Sequence, residues 1–205
     1  MKGLLFILII AMAHSGVGQA DRAKTSRKYR DSLARVYIQD LSEGCLLIRL
    51  RTSIKKMEAL KARGDTALAL NEARMLKLKH LEIISSFKLN YSFSKVYYFY
   101  SHHSGKVRSR EFQGILMNEQ FEPVDEEPDV FLILDPYVVD FTHMNSQQQG
   151  LSLLNDRFEQ LERPFPYYVR KREALFFLRR DYQTMVALLQ KNLEFTSRKY
   201  LGIRQ

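Results

Sequence analysis

An unbroken apolar run, Leu4 to Ala13, stands between Lys2 and a stretch of small and polar residues that ends near Ala20. Beyond it the apolar positions fall into two periods. Tyr29, Leu33, Val36, Tyr37 and Leu41 recur every three or four residues and predict one face of a helix within residues 21–43, which Gly44 ends. Leu46–Arg51 is apolar at first, then alternates with Arg49 and Arg51, and predicts a strand. Ile54, Met57 and Leu60 mark the buried side of a helix that Thr52 or Ser53 can cap. Gly64-Asp65 breaks that helix, and a second runs through Leu68, Leu76, Leu81 and Ile84, giving a helical hairpin or a kinked long helix.

Lys95–Tyr100 (KVYYFY) is the clearest strand, aromatic and β-branched, followed by a loop, Ser101-His102-His103-Ser104-Gly105. Phe112, Ile115 and Leu116 suggest a short helix within 107–121, and Pro123–Pro128 is an acidic linker. Val130–Leu134 reads as a buried strand. Residues 151–161 read as a helix facing inward with Leu154, Phe158 and Leu161, stopped by Pro164 and Pro166. Tyr167–Arg170 and Leu175–Leu178 can form a hairpin around Lys171-Arg172-Glu173. Asp181 caps a final helix whose inner face carries Tyr182, Met185, Val186, Leu189 and Leu193.

This order predicts an N-terminal helix (19–43) and a single α/β domain (44–205) with a mixed, partly parallel sheet of four or five strands. The first two strands should be parallel, because about forty mostly helical residues separate them and such a crossover returns the chain in the same direction. A functional pocket is then expected at the carboxyl ends of the strands, near Arg51–Ser53, Ser101–Lys106 and Asp135.

The N-terminal run changes the picture of where the chain works. Basic start, ten apolar residues and small residues before a cleavage point are the three parts of a secretory signal. Ten residues are too few for a spanning helix, which needs roughly 20. Cleavage after Gly18 leaves Gln19 first and defines residues 1–18 as the signal; no later segment is apolar enough to span, so the mature chain is expected to lack a transmembrane segment. Cys45 is the only cysteine, so no internal disulfide is possible and the fold rests on burial. Small exported domains without disulfides point to a bacterial periplasm rather than a eukaryotic exterior.

The net charge of +9 is unevenly spread. Glu119 to Asp135 is acidic, whereas Arg163 onward is basic, which favours anionic polymer or lipid surfaces as partners. An exported protein is not expected to meet nucleic acid.

The element order is similar to the thioredoxin fold with an added first helix. Pro166, directly before the strand in FPYYVRK, stands where that fold places a cis-proline. The loop after Tyr100, where that family carries Cys-x-x-Cys, reads Ser101-His102-His103-Ser104, so dithiol chemistry is excluded. Gln19 after the cleavage point and the segment PFPYYVR also make the chain resemble uncharacterised exported proteins of Bacteroidetes-type bacteria, a resemblance that implies no activity.

Candidate chemistry gathers at the strand-end loops. Ser101, His102, His103, Lys106, Asp135 and His143 form the candidate ligand site. His103, Asp140 and His143 offer nitrogen and oxygen donors suited to zinc, though Asp140-x-x-His143 is a common spacing. A nucleophilic set could be drawn from Ser101 or Ser104, a loop histidine and Asp135, but no Gly-x-Ser-x-Gly elbow supports it. Ser104-Gly105-Lys106 lacks the spacing of a phosphate loop, and Arg63-Gly64-Asp65 is sufficiently explained as a helix turn. No motif implies a cofactor. The expectation is an exported, non-catalytic envelope protein that acts through a partner. The alternatives are a periplasmic enzyme or ligand-binding domain using the strand-end loops, or a binder of anionic surfaces through the basic C-terminal region.

Overall fold

Strand β1 (Cys45–Leu50) is the centre around which the domain is built. The computed structural model describes residues 26–140, 148–172 and 180–202. Helix α1 spans 26–43. After β1 come α2 (Ile54–Ala62), α3 (Thr66–Asn90), β2 (Lys95–Tyr100), a 3-10 turn (Ser101–His103) and α4 (Ser104–Arg108). Strands β3 (Phe131–Asp140), β4 (Gln148–Leu154) and β5 (Tyr168–Arg170) and helix α5 (Tyr182–Leu201) follow among the described residues. The export signal, His143 and the Leu175–Leu178 half of the expected hairpin lie outside the described residues.

The five strands form one mixed sheet in the order β2-β1-β3-β4-β5. β1 is parallel to both β2 and β3, whereas β3–β4 and β4–β5 are antiparallel. The chain leaves β1 to one side through α2 and α3 and returns on its other side as β3. The gap between the carboxyl ends of β1 and β3 is therefore a topological switch point, where open α/β sheets place their ligands.

Alternation sorts the sheet residues onto two covered faces. Leu46, Ile48, Leu50, Tyr98, Leu132, Leu134, Leu151 and Leu153 pack with Ala34, Ile38 and Leu41 of α1, Ile83, Ile84 and Phe87 of α3, and Met185, Val186, Leu189 and Leu193 of α5. Cys45, Leu47, Phe99, Phe131, Ile133 and Leu154 pack instead with Val107, Phe112, Ile115 and Leu116. Burial on both faces explains why β1 and β2 read as nearly continuous apolar runs. Burial pushes the Cys45 thiol up to about 12, so it stays protonated and inert. The outer side of β2 is closed by a single rung, in which Met117 and Tyr98 each donate a backbone N–H to the other's carbonyl at 2.9 Å.

Several expectations are corrected. Residues 151–161 are not a helix: Leu151 to Leu154 complete β4, and Asn155 then turns the chain, its side-chain oxygen accepting the amides of Arg157 and Glu159 at 3.0 and 2.9 Å. The buried face of α1 carries Ala34, Ile38 and Leu41, while Tyr29 and Val36 are exposed. Helix α2 buries none of Ile54, Met57 or Leu60, and of the four positions expected inside α3 only Ile84 is buried. The short helix is Ser104–Arg108; Arg110 stands at φ +60° and stops it, and Phe112, Ile115 and Leu116 are buried from turns. Asp135 lies inside β3 rather than beyond it, at a bulge between Asp135 and Val138. The cis peptide among the described residues is Arg163–Pro164, not the bond before Pro166. The helical hairpin is present as read, turned by Gly64 at φ +84°, a region that suits glycine. Asp181 caps α5 by accepting the Thr184 amide at 2.8 Å.

Gly44 joins α1 to β1 for a different reason than conformational freedom. A Cβ there would run into the backbone oxygen of Val130 and lie 2.8 Å from that of Asp40. Only glycine lets the chain pass this close as it enters the sheet.

Candidate functional site

The register Ile48↔Leu134 puts Arg49 and Asp135 next to each other on the same face, one step beyond the last paired residues of β1 and β3. Arg49 Nη1 donates to Asp135 Oδ2 at 2.6 Å, and Asp135 Oδ1 accepts the Tyr137 amide at 2.9 Å. Arg49 Nε donates to Ser104 Oγ at 3.0 Å, and that hydroxyl donates to the Ser101 carbonyl at 2.6 Å. Ser101 Oγ accepts the Thr52 amide at 2.9 Å and meets Thr52 Oγ1 at 3.0 Å, while His102 Nδ1 lies 3.4 Å from Thr52 Oγ1. One polar network thus ties together β1, β3 and the turn after β2.

The expected candidates are therefore partly assembled. Ser101, His102 and Asp135 come to the same sheet edge, with Arg49, Thr52 and Ser104 between them. Lys106 is exposed on α4. The two histidines sit in a 3-10 turn rather than on extended chain, so their rings come within 4.0 Å instead of pointing apart. His102 also stacks on Tyr100, with centroids 5.8 Å apart. Desolvation, the His102 ring and Lys106 hold His103 below its ordinary value. Asp135 is committed to Arg49, and among the described residues no histidine nitrogen reaches it, Ser101 or Ser104, so the described residues do not form a nucleophilic triad. No group of three metal-binding side chains occurs among the described residues. Asp140 ends β3, and the proposed partner His143 falls outside the description.

Beside this network, on the α3 and α5 side of the same edge, lies a cleft of about 570 Å3. Its lining includes Arg51, Lys56, Lys79, Lys171 and Arg180, with Met75, Leu76 and Leu78 of α3 and the rings of Tyr137 and Tyr182. Lys79 Nζ lies 4.9 Å from the Tyr137 ring centre and 5.8 Å from that of Tyr182. The Tyr182 hydroxyl donates to the Pro136 carbonyl at 3.3 Å. Burial pushes the Tyr137 phenol up to about 12, so it stays neutral. Arg51 and Ser53 of this cleft were expected at the strand-end loops, and Lys171 and Arg180 only as members of the basic C-terminal region. Lys56, Lys79, Tyr137 and Arg180 carry no motif, and chain separation hides their convergence.

His80 supports the cleft from α3: its Nε2 donates to the Arg51 carbonyl at 2.9 Å. Desolvation, helped by Lys79, lowers its pKa from the ordinary 6.5 despite that bond. A histidine depressed in the folded state stabilises fully above its unfolded pKa, and that contribution fades as pH falls below it. Unfolding free energy should therefore drop as pH falls below about 6.5, and His80→Gln, which can keep a donor for Arg51, should flatten that slope. Equal slopes for both proteins in urea titrations at successive pH values would refute the assignment.

The α2–α3 hairpin rises from the same edge. Helix α3 has 25 residues, about 37 Å of axis, whereas the six-residue strands beneath it reach only about 20 Å. Its second half packs on the sheet through His80, Ile83, Ile84, Ser86 and Phe87; its first half buries only Ala69. α2 packs on that overhanging half, and Lys56 Nζ bonds Glu72 Oε2 at 2.7 Å across the pair. The overhang exposes Leu68 (56%), Leu70 (69%), Met75 (57%) and Leu78 (52%).

No helix among the described residues is long and apolar enough to cross a membrane. No protein-family model, curated protein or solved structure matches the chain.

Proposed function

We propose that the chain is an exported, non-catalytic protein of the bacterial cell envelope that acts by contact with a partner, and that the α2–α3 hairpin is the contacting limb. The observation that carries this is the overhang itself. Nine residues of α2 bury nothing, and large apolar side chains on the first half of α3 face solvent. Leu68, Met75 and Leu78 fall toward one side of the helix at spacings of seven and three, and an apolar strip of this kind is a feature of interaction sites rather than of ordinary monomer surface. The saturated network at Arg49, Asp135, Ser101 and Ser104 supports the non-catalytic part, because each hydroxyl and carboxylate there already has a partner. The signal-like first twenty residues support export.

A photo-crosslinking side chain in place of the exposed Asn71, one turn from Leu68 on the same side, in cells of the native host, should give one defined adduct that Leu68→Glu removes while leaving the fold unchanged by circular dichroism. The same crosslinker at Glu111, on the other side of the sheet, should give none. Adducts of equal yield and pattern from both positions would count decisively against the hairpin. Residues 1–20 fused to a reporter active only after export test localisation; a silent fusion with the precursor uncut would remove the envelope assignment.

A further inference from the structure

We infer that the cleft between α3, α5 and the end of β1 binds a small amphipathic anion, a carboxylate or phosphate monoester carrying an apolar body. This goes beyond the hairpin contact: it uses the base of the hairpin, where Met75 and Leu78 of the overhang line the cleft, and not Leu68 at the far end.

Position is the first argument. The cleft opens at the carboxyl edge of β1, at the switch point created by the order β2-β1-β3. Its 570 Å3 falls within the roughly 300–1,000 Å3 typical of small-molecule clefts.

Charge is the second. Five basic side chains line the cleft against three acidic ones, Glu72, Glu82 and Asp181. Glu72 is paired with Lys56, which leaves Arg51, Lys79, Lys171 and Arg180 against Glu82 and Asp181, a net positive lining among the described residues. Arg51 and Arg180 present planar guanidinium groups that match a carboxylate or phosphate. A cation would meet repulsion here, and a neutral apolar molecule would leave the guanidinium groups unused.

The apolar wall is the third. Met75 and Leu78 are more than half exposed where they line the cleft, and Leu76, Tyr137 and Tyr182 extend that surface inward. Inorganic phosphate would satisfy the arginines and leave this wall in water. An anion with an alkyl or aryl body covers both.

Titration calorimetry on the full-length mature protein tests this with dodecanoate and dodecyl phosphate, each below its micellar concentration. Saturable one-to-one binding of at least one is expected. The Arg51→Gln/Arg180→Gln double variant should weaken it by at least about tenfold, and Leu78→Glu, an exposed change that leaves the core intact, should abolish it. Preference for the phosphate or the carboxylate identifies the head group. Three results would overturn the inference: no saturable binding of either probe, equal binding of dodecyltrimethylammonium, or inorganic phosphate binding as tightly as its dodecyl ester. Binding retained by both variants would also overturn it, by placing the probe elsewhere. None of these results alters the crosslink expected at position 71.

Discussion

Replacing Asp135 by alanine should lower the unfolding free energy by about 2–4 kcal/mol. The carboxylate is 8% exposed and bonds both Arg49 and the Tyr137 amide, so its removal strands a guanidinium and a backbone donor together. Losing one partner of a buried pair costs about 3–5 kcal/mol; the lower range applies because Arg49 keeps 33% of its side chain in solvent. Asp135→Asn retains an acceptor for the amide and should cost less. Arg49→Met combined with Asp135→Leu should recover much of the loss, since no charge is then left alone. Urea unfolding of the four proteins gives the coupling directly. A loss below about 1 kcal/mol for the alanine variant would show that water replaces the carboxylate and that the pair is a surface ion pair in energetic terms.

Phe99→Ala should be at least as damaging, at about 3–5 kcal/mol. Phe99 is wholly buried on β2, in the cluster under Val107, Phe112, Ile115 and Leu116, and its ring meets Phe158 edge-on at 6.4 Å. Turns rather than a long helix cover this face, so the cavity should also loosen the cover. Amide exchange at Met117, bonded to the neighbouring Tyr98 carbonyl, should accelerate more than exchange in α5. Tyr97→Ala, on the same face but half-buried, is the comparison. If Phe99→Ala costs no more than Tyr97→Ala, the second cluster is not the packed core described here.

How much of this was legible in the residues follows from the range of the interactions. Leu46–Ile48 and Val96–Tyr100 are apolar without alternation because both faces are covered, and the parallel pairing followed from crossover length alone. Asp181 and the inner face of α5 were legible because a cap and a helical stripe are local. The stretch 151–161 was misread because Leu154, Phe158 and Leu161 imitate a helical stripe; Leu151 to Leu154 end the strand β4, and only pairing to β3 and β5 decides it. In α1, Ala34 and Ile38 face inward where Tyr29 and Val36 were expected, since orientation is set by the sheet beneath. At the candidate site, the approach of Ser101, His102 and Asp135 to one edge was foreseeable from topology. That Arg49 would occupy Asp135 depended on register, and the cleft residues Lys79, Tyr137 and Arg180 are joined only by tertiary packing.

The single rung between Tyr98 and Met117 bears on how the protein behaves at high concentration. β2 is a terminal strand, aromatic and strongly β-forming, and an open row of its amides and carbonyls would be a template for strands of other molecules. With the central residue of that row already taken by Met117, an incoming strand could find at most two short stretches, neither long enough for cooperative pairing. Among the described residues the other outermost strand, β5, is only three residues long. A chain that displays leucines on a protruding limb can therefore remain dispersed, because the sticky part is helical side-chain surface and not backbone.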